Sequence, residues 1–317
     1  MVRMELSLMI EGQEGVTWSD WQALARACEA HGVPTLFRSD HYMNLDGQHP
    51  ERGSLDAWAT LCAVAAATTT LRLGTMVSPA TFRHPSELAK LVVTADRVSG
   101  GRVELGLGAG WHEREHAAYG FPFAGLRTRL DVLEEQLQIV LGTWASGPEQ
   151  PFSFAGEHYG LDALYAQPSP VQTPHPPLIM GGSAGRRSAA MAARYADEYN
   201  SPFPTLEDVR ERRARIEQAC DEAGREMLPF SIMTGVIVGA DETDLRNRAD
   251  RLEERGGVQN LVDTPPPGWI VATLDDAADQ LQTLAEAGVD RVMCQQLLHD
   301  DLEAVALLGE RLAPAVA

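Results

Sequence analysis

Lysine is all but missing from this chain. Among 317 residues there is one, Lys90, and arginine carries the rest of the positive charge. A GC-rich coding sequence explains that substitution better than any function does. Positive charge is scarce altogether: 26 Lys and Arg against 45 Asp and Glu leave a formal net charge of −19. A nucleic-acid binder needs a basic stripe, so that class is disfavoured. Cysteine is thin too. Cys28, Cys62, Cys220 and Cys294 stand far apart, with no CxxC pair, which argues against a disulfide framework and against metal-ligand spacing. No apolar stretch approaches the roughly 18 residues needed to cross a membrane. The opening "MVRMELSLMIEGQ" has too short an apolar run for a signal peptide and no small-residue cleavage site. These absences predict a soluble, cytoplasmic protein without a nucleic-acid or membrane partner.

What is present is a regular alternation. Strand patterns fall at 4–10, 33–38, 71–77, 102–108, 177–182, 197–202, 230–239 and 289–297. Helical patterns lie between them, at 18–32, 54–69, 85–101, 127–144, 185–196, 206–224, 242–257 and 274–288, with a last one at 301–314. The clearest is 127–144, where Leu130, Leu133, Leu137, Val140 and Leu141 make one apolar stripe. Strict βα alternation implies a parallel sheet with helical crossovers, and eight units close a (β/α)8 TIM barrel at about this length. The expected fold is one such domain over 1–317. Two irregular segments interrupt it, an insertion at about 145–176 after the fourth helix and a loop at about 258–273.

In such a barrel the residues just past the C-terminal strand ends form the active face. "SDH" at 39–41 follows the second strand directly. His41 is the leading catalytic candidate, because an imidazole gains or loses a proton near neutral pH. Asp40 is read as raising its basicity or holding ligand groups, although Ser39 and Asp40 alone read equally well as a helix cap. "GLGAG" (106–110) lacks the GxGxxG spacing of a dinucleotide fingerprint. Its glycines allow close backbone approach, to a flat cofactor or simply to a packed neighbour. "IMGGSAGRR" (179–187) runs from a strand through Gly181, Gly182 and Ser183 into a helix N-terminus, an arrangement suited to a phosphate. Arg186 and Arg187 either add charge there or face solvent. No metal constellation is legible.

Taken together, "SDHY", "LGTMVSPATFRHP", "RVELGLGAGWHEREHAAYGFPF" and "IMGGSAGRRSAAMAARYADEYN" resemble the luciferase-like monooxygenase superfamily across essentially the whole chain. The resemblance is nearest to its branch dependent on coenzyme F420, an 8-hydroxy-5-deazaflavin. It implies a third-strand bulge behind the cofactor ring, formed by Thr75, Met76 and Val77, with a non-prolyl cis peptide at Met76–Val77. It implies Asp40 and His41 at the active face, and Ala109, Gly110 and Trp111 along the cofactor. His112 or Arg114 would lie near its ribityl or phosphate part, and Gly181, Gly182 and Ser183 would hold the phosphate. Trp111 stands where sugar-phosphate dehydrogenases of the branch carry an acidic residue, so that substrate class does not carry over.

The implied activity is hydride transfer between the deazaflavin C5 and a small organic substrate, with His41 moving the matching proton and segments 145–176 and 258–273 capping the pocket. The alternatives are an FMN-dependent two-component monooxygenase served by a separate reductase, and a barrel that binds flavin without catalysis. Homodimers are usual among similar proteins.

Overall fold

The computed structural model describes residues 4–316. Eight parallel strands close into a barrel: β1 (Glu5–Ile10), β2 (Thr35–Arg38), β3 (Arg72–Thr75), β4 (Val103–Gly108), β5 (Leu178–Gly181), β6 (Glu198–Pro202), β7 (Phe230–Gly239) and β8 (Arg291–Gln295). Each pairs with the next, and β8 returns to β1 in the register Glu5↔Arg291 to Met9↔Gln295. Outside run α1 (Trp18–His31), α2 (Ala57–Ala67), α3 (Pro85–Ser99), α4 (Glu113–Tyr119), α5 (Leu126–Ala145), α6 (Arg186–Tyr195), α7 (Leu206–Ala223), α8 (Glu242–Glu254), α9 (Leu274–Glu286) and α10 (Leu302–Ala306). Among the described residues no helix is long and apolar enough to cross a membrane.

Local chemistry sets the boundaries. Thr17 and Asp20 form a reciprocal capping box at the start of α1, and Gly32 ends the helix at a φ of 76°. Strand alternation then sorts side chains into two cores. On β1, Leu6, Leu8 and Ile10 join the large cluster shared with the helices, whereas Met9 points inward. The barrel interior is layered. At its base, Arg291 lies 2.8 Å from Glu104 and 3.0 Å from Glu198, and Arg72 lies 2.7 Å from Glu104. Above them Met9, Phe37, Met76, Ile179, Met233 and Met293 form an apolar plug. Each such side chain stabilises the fold by roughly 1.5–3 kcal/mol. The site occupies the level above the plug.

Three elements longer than two residues escape the sequence pattern. One is the seven-residue α4. Another is an antiparallel hairpin, Phe152–Ala155 with Gly160–Leu164, inside the insertion. The third is the strand Ile270–Thr273, which extends β7 through Val236↔Ile270.

The capping role expected of the two irregular segments is not observed. Asp96 of α3 accepts the backbone N–H groups of Val171 and Gln172, and Gln172 reaches Arg72 at the barrel base. The insertion is thus drawn down the outer wall. Segment 258–273 is held by Leu261, buried against Ile237 and Leu245, and by Thr234 donating to the Gly268 carbonyl.

Candidate active site

A cavity of about 730 Å³ opens at the C-terminal end of the strands. His41 lines it from the exit of β2. Its Nδ1 lies 2.7 Å from Oε2 of Glu115 on α4. A carboxylate only accepts, so Nδ1 carries the proton and Nε2 is left for a ligand. The other oxygen of Glu115 accepts the backbone N–H groups of Tyr42, at 2.5 Å, and Met43, at 3.4 Å. Glu115 is fully buried and locks the loop after β2 against α4.

The electrostatics follow from this geometry. Burial disfavours an imidazolium at His41, but the hydrogen bond and negative charge of Glu115 outweigh it and raise the pKa above the ordinary histidine value. For Glu115, burial opposes ionisation, but the bond to His41 and the Tyr42 N–H hold its pKa below the usual carboxylate value. Both shifts favour the ionic form of the pair. His112 sits with Nδ1 3.6 Å from the same carboxylate, too far to bond, and burial lowers its pKa. His116 is fixed as well. Its Nδ1 donates to the His112 carbonyl at 2.8 Å, so its Nε2 accepts from the Thr81 hydroxyl at 2.6 Å.

His41, His112 and Glu115 also bring possible metal-ligand atoms within 4.8 Å of one another, a grouping the sequence did not foretell. The 2.7 Å hydrogen bond already engages the carboxylate they share.

Most residues expected at the site meet here. Met76, Val77, Ala109, Gly110, Trp111, His112, Gly181, Gly182 and Ser183 all line the cavity, and the Met76–Val77 peptide is cis. Trp111 is 62% exposed, a rim residue. Three expected residues do not line it. Asp40 is buried beneath the floor, where Arg83 at 2.5 Å and the Ser78 hydroxyl at 2.6 Å consume its carboxylate. Thr75 is also buried, donating to the Gly106 carbonyl at 3.1 Å. Arg114 points off α4 toward the backbone carbonyls of Asp46 and Gly47. Arg187 adds no free charge at the loop after β5, since Asp131 and Glu134 hold it at 2.7 and 3.0 Å.

The loop after β5 keeps other donors. Gly182 donates its N–H to the Asn200 carbonyl and Ala184 to the Tyr199 hydroxyl, so both are spent. Gly185 begins α6 without a side-chain cap, which leaves first-turn N–H groups without the acceptor such helices usually receive.

The sequence also left residues unnamed. Glu115 lies three positions beyond His112, and only α4 turns it inward. Glu11, Gln13 and Gln295 line the cavity from the ends of β1 and β8.

Comparison with known proteins agrees with this architecture. Residues 4–310 match the family described as luciferase-like monooxygenase. An uncharacterised Mycobacterium tuberculosis protein is 30% identical over 277 residues, 83% of this chain and 92% of its own length. An F420-dependent hydroxymycolic acid dehydrogenase from the same organism is 30% identical over 72% of this chain and 57% of its own. An FMNH2-dependent dimethylsulfone monooxygenase of Pseudomonas putida is 29% identical over 59% of this chain and 49% of its own. Among solved structures, an F420-dependent secondary alcohol dehydrogenase superposes with a TM-score of 0.81 at 19% identity, over 99% of both chains, a likeness of fold. With a profile match over nearly its full length, the chain belongs to the luciferase-like monooxygenase family, whose members are oxidoreductases and monooxygenases.

Proposed function

We propose that this protein is an F420-dependent oxidoreductase that transfers a hydride between the deazaflavin C5 and a small organic substrate. The observation that carries the reading is the His41–Glu115 ion pair at the wall of the cavity. The residues present fit a flavin-type cofactor. An apolar wall at Met76 and Val77 suits a flat ring, and the uncapped N-terminus of α6 beside Gly181, Gly182 and Ser183 suits its phosphate. When bound, the deazaflavin supplies the two-electron hydride equivalent.

The chain's own residues do the rest. Glu115 orients the His41 ring and favours its protonated form, so His41 Nε2 presents a proton to the substrate atom that becomes negatively charged as the hydride is added. In the reverse direction the same nitrogen receives that proton. Ala109, Gly110 and Pro79 close the β3–β4 side of the cavity, and Met233 closes the side formed by β7.

An FMN-dependent monooxygenase is the second reading. It is favoured by the dimethylsulfone monooxygenase relative, and the α6 N-terminus suits an FMN phosphate equally. We propose a homodimer in either case, and a separate reductase in the second. The test is a fluorescence titration of the purified protein with F420 and with FMN. Tighter binding of F420 supports the first reading, and preference for FMN transfers the assignment to the second. If neither binds, both fail.

A further inference from the structure

The cavity wall is uneven in charge. Glu11, Glu14 and Glu115 line it, and against them stands one histidine with a raised pKa, His41, while among the described residues no arginine or lysine lines it. Two of the three carboxylates are compensated. Glu14 meets Arg52 at 3.1 Å and two bonds from the Asn44 amide, while Glu115 meets His41. Glu11 differs. Its oxygens accept from the side-chain amides of Gln295, at 2.5 Å, and Gln13, at 2.7 Å, and among the described residues no Arg or Lys forms an ion pair with it.

This carboxylate is built in place. Gln13 is fully buried and accepts from the Ser39 hydroxyl at 2.5 Å, and Ser39 accepts the Gly12 N–H at 2.9 Å. Gln295 is nine-tenths buried on β8, in register with Met9 of β1. Neutral amides orient Glu11 without cancelling its charge. A carboxylate has about four acceptor directions, and two are used. Much of the remaining wall is apolar, with Met76, Met233 and Leu297 inside and Trp111, Leu126 and Phe203 exposed at the mouth, beside the imidazoles of His41, His112 and His116 and the side chains of Ser183 and Asn200.

We propose that Glu11 anchors a hydrogen-bond-donating group, a protonated amine above all, on an otherwise apolar substrate, and that the cavity rejects carboxylates and phosphate esters as substrates. This rests on reading the cavity as the shared cofactor and substrate pocket. The cofactor's own phosphate is not covered by the rule, because it is assigned to the α6 N-terminus. In a partly desolvated cavity a fixed charge discriminates far more strongly than it does in water.

The test uses one aromatic skeleton with three charges: 2-naphthylmethylamine, 2-naphthylmethanol and 2-naphthoate. Calorimetric titration at pH 7 is run on the protein alone and on protein saturated with whichever of F420 or FMN binds. The expected order is amine, then alcohol, then carboxylate, with the amine at least tenfold tighter than the carboxylate. Glu11→Gln should erase the amine's advantage over the alcohol, and Glu11→Asp should retain it. Thermal melts of both variants establish that they fold, and Glu11→Asp supplies an independent reading if Glu11→Gln does not. Carboxylate binding as tight as the alcohol's overturns the proposal. So does an amine preference that survives Glu11→Gln, or one that is lost in a folded Glu11→Asp. Failure to bind either cofactor removes the functional reading, yet the order of the three probes on the cofactor-free protein still judges Glu11.

Discussion

His41 and Glu115 are 74 positions apart in the chain, yet they behave as one group. The imidazole supplies a transferable proton. The carboxylate, pinned by two backbone N–H groups, supplies orientation and charge. Replacing His41 by Ala should lower turnover by about 10²–10⁴-fold while leaving cofactor affinity within a few-fold, measured by steady-state kinetics beside a binding titration. Equal loss of both would make His41 a cofactor ligand instead. His41 was legible in the sequence because a histidine directly after a strand is chemically conspicuous. Glu115 was not, since it sits in a polar run with no apolar stripe to announce a helix, and only α4 folding over the loop after β2 brings it to His41. Asp40 misled for a related reason: a polar residue at a strand exit looks the same whether it faces the cavity or, as here, a buried Arg83.

The elements that position these residues follow rules that a sequence does display. Alternation and helical periodicity located all eight barrel strands. The hairpin in the insertion stayed hidden, because its strands are four and five residues long, partly exposed, and set among Pro and Gly. Backbone approach is likewise invisible without the fold. Gly106 on β4 lies so close to β3 that an added Cβ would stand 2.1 Å from the Thr75 carbonyl oxygen. Strand packing therefore accounts for this glycine without a cofactor. Gly106→Ala should destabilise the protein by about 1–3 kcal/mol or more and displace the Thr75–Val77 bulge, read by denaturant melts. An unchanged melt would mean that β3 and β4 separate freely. At α1 the stake is smaller: losing the Thr17 cap through Thr17→Ala should cost about 1 kcal/mol.

Across the whole molecule, the barrel separates a charged base from a reactive mouth by one apolar layer. At the base, burial pushes the Glu198 carboxyl up to about 7, with Arg291 opposing the shift. The ordinary value is 4.5, so between the two values the folded chain holds a proton that the unfolded chain has released. Glu198 therefore contributes stability below about pH 4.5 that is lost as pH rises through 7. Chemical denaturation at several pH values should show a decline on the order of 2 kcal/mol between pH 5 and pH 8 from this group, and Glu198→Gln should flatten that slope. A slope unaffected by the substitution would place the titration elsewhere. The layered plan was only half legible. Inward positions could be counted along each strand, but that Arg72, Glu104, Glu198 and Arg291 share one level depends on the register between strands.

The account turns on His41 being a proton-bearing group held by Glu115. The direct measurement is a pH titration of the ¹⁵N-labelled imidazoles by NMR, with His41 assigned through His41→Gln, in the native protein and in Glu115→Gln. The account predicts that His41 titrates above the ordinary histidine value in the native protein, with Nδ1 protonated throughout, and that its pKa falls by a unit or more in Glu115→Gln. A His41 that titrates at or below the ordinary value, or that ignores the loss of Glu115, would contradict it.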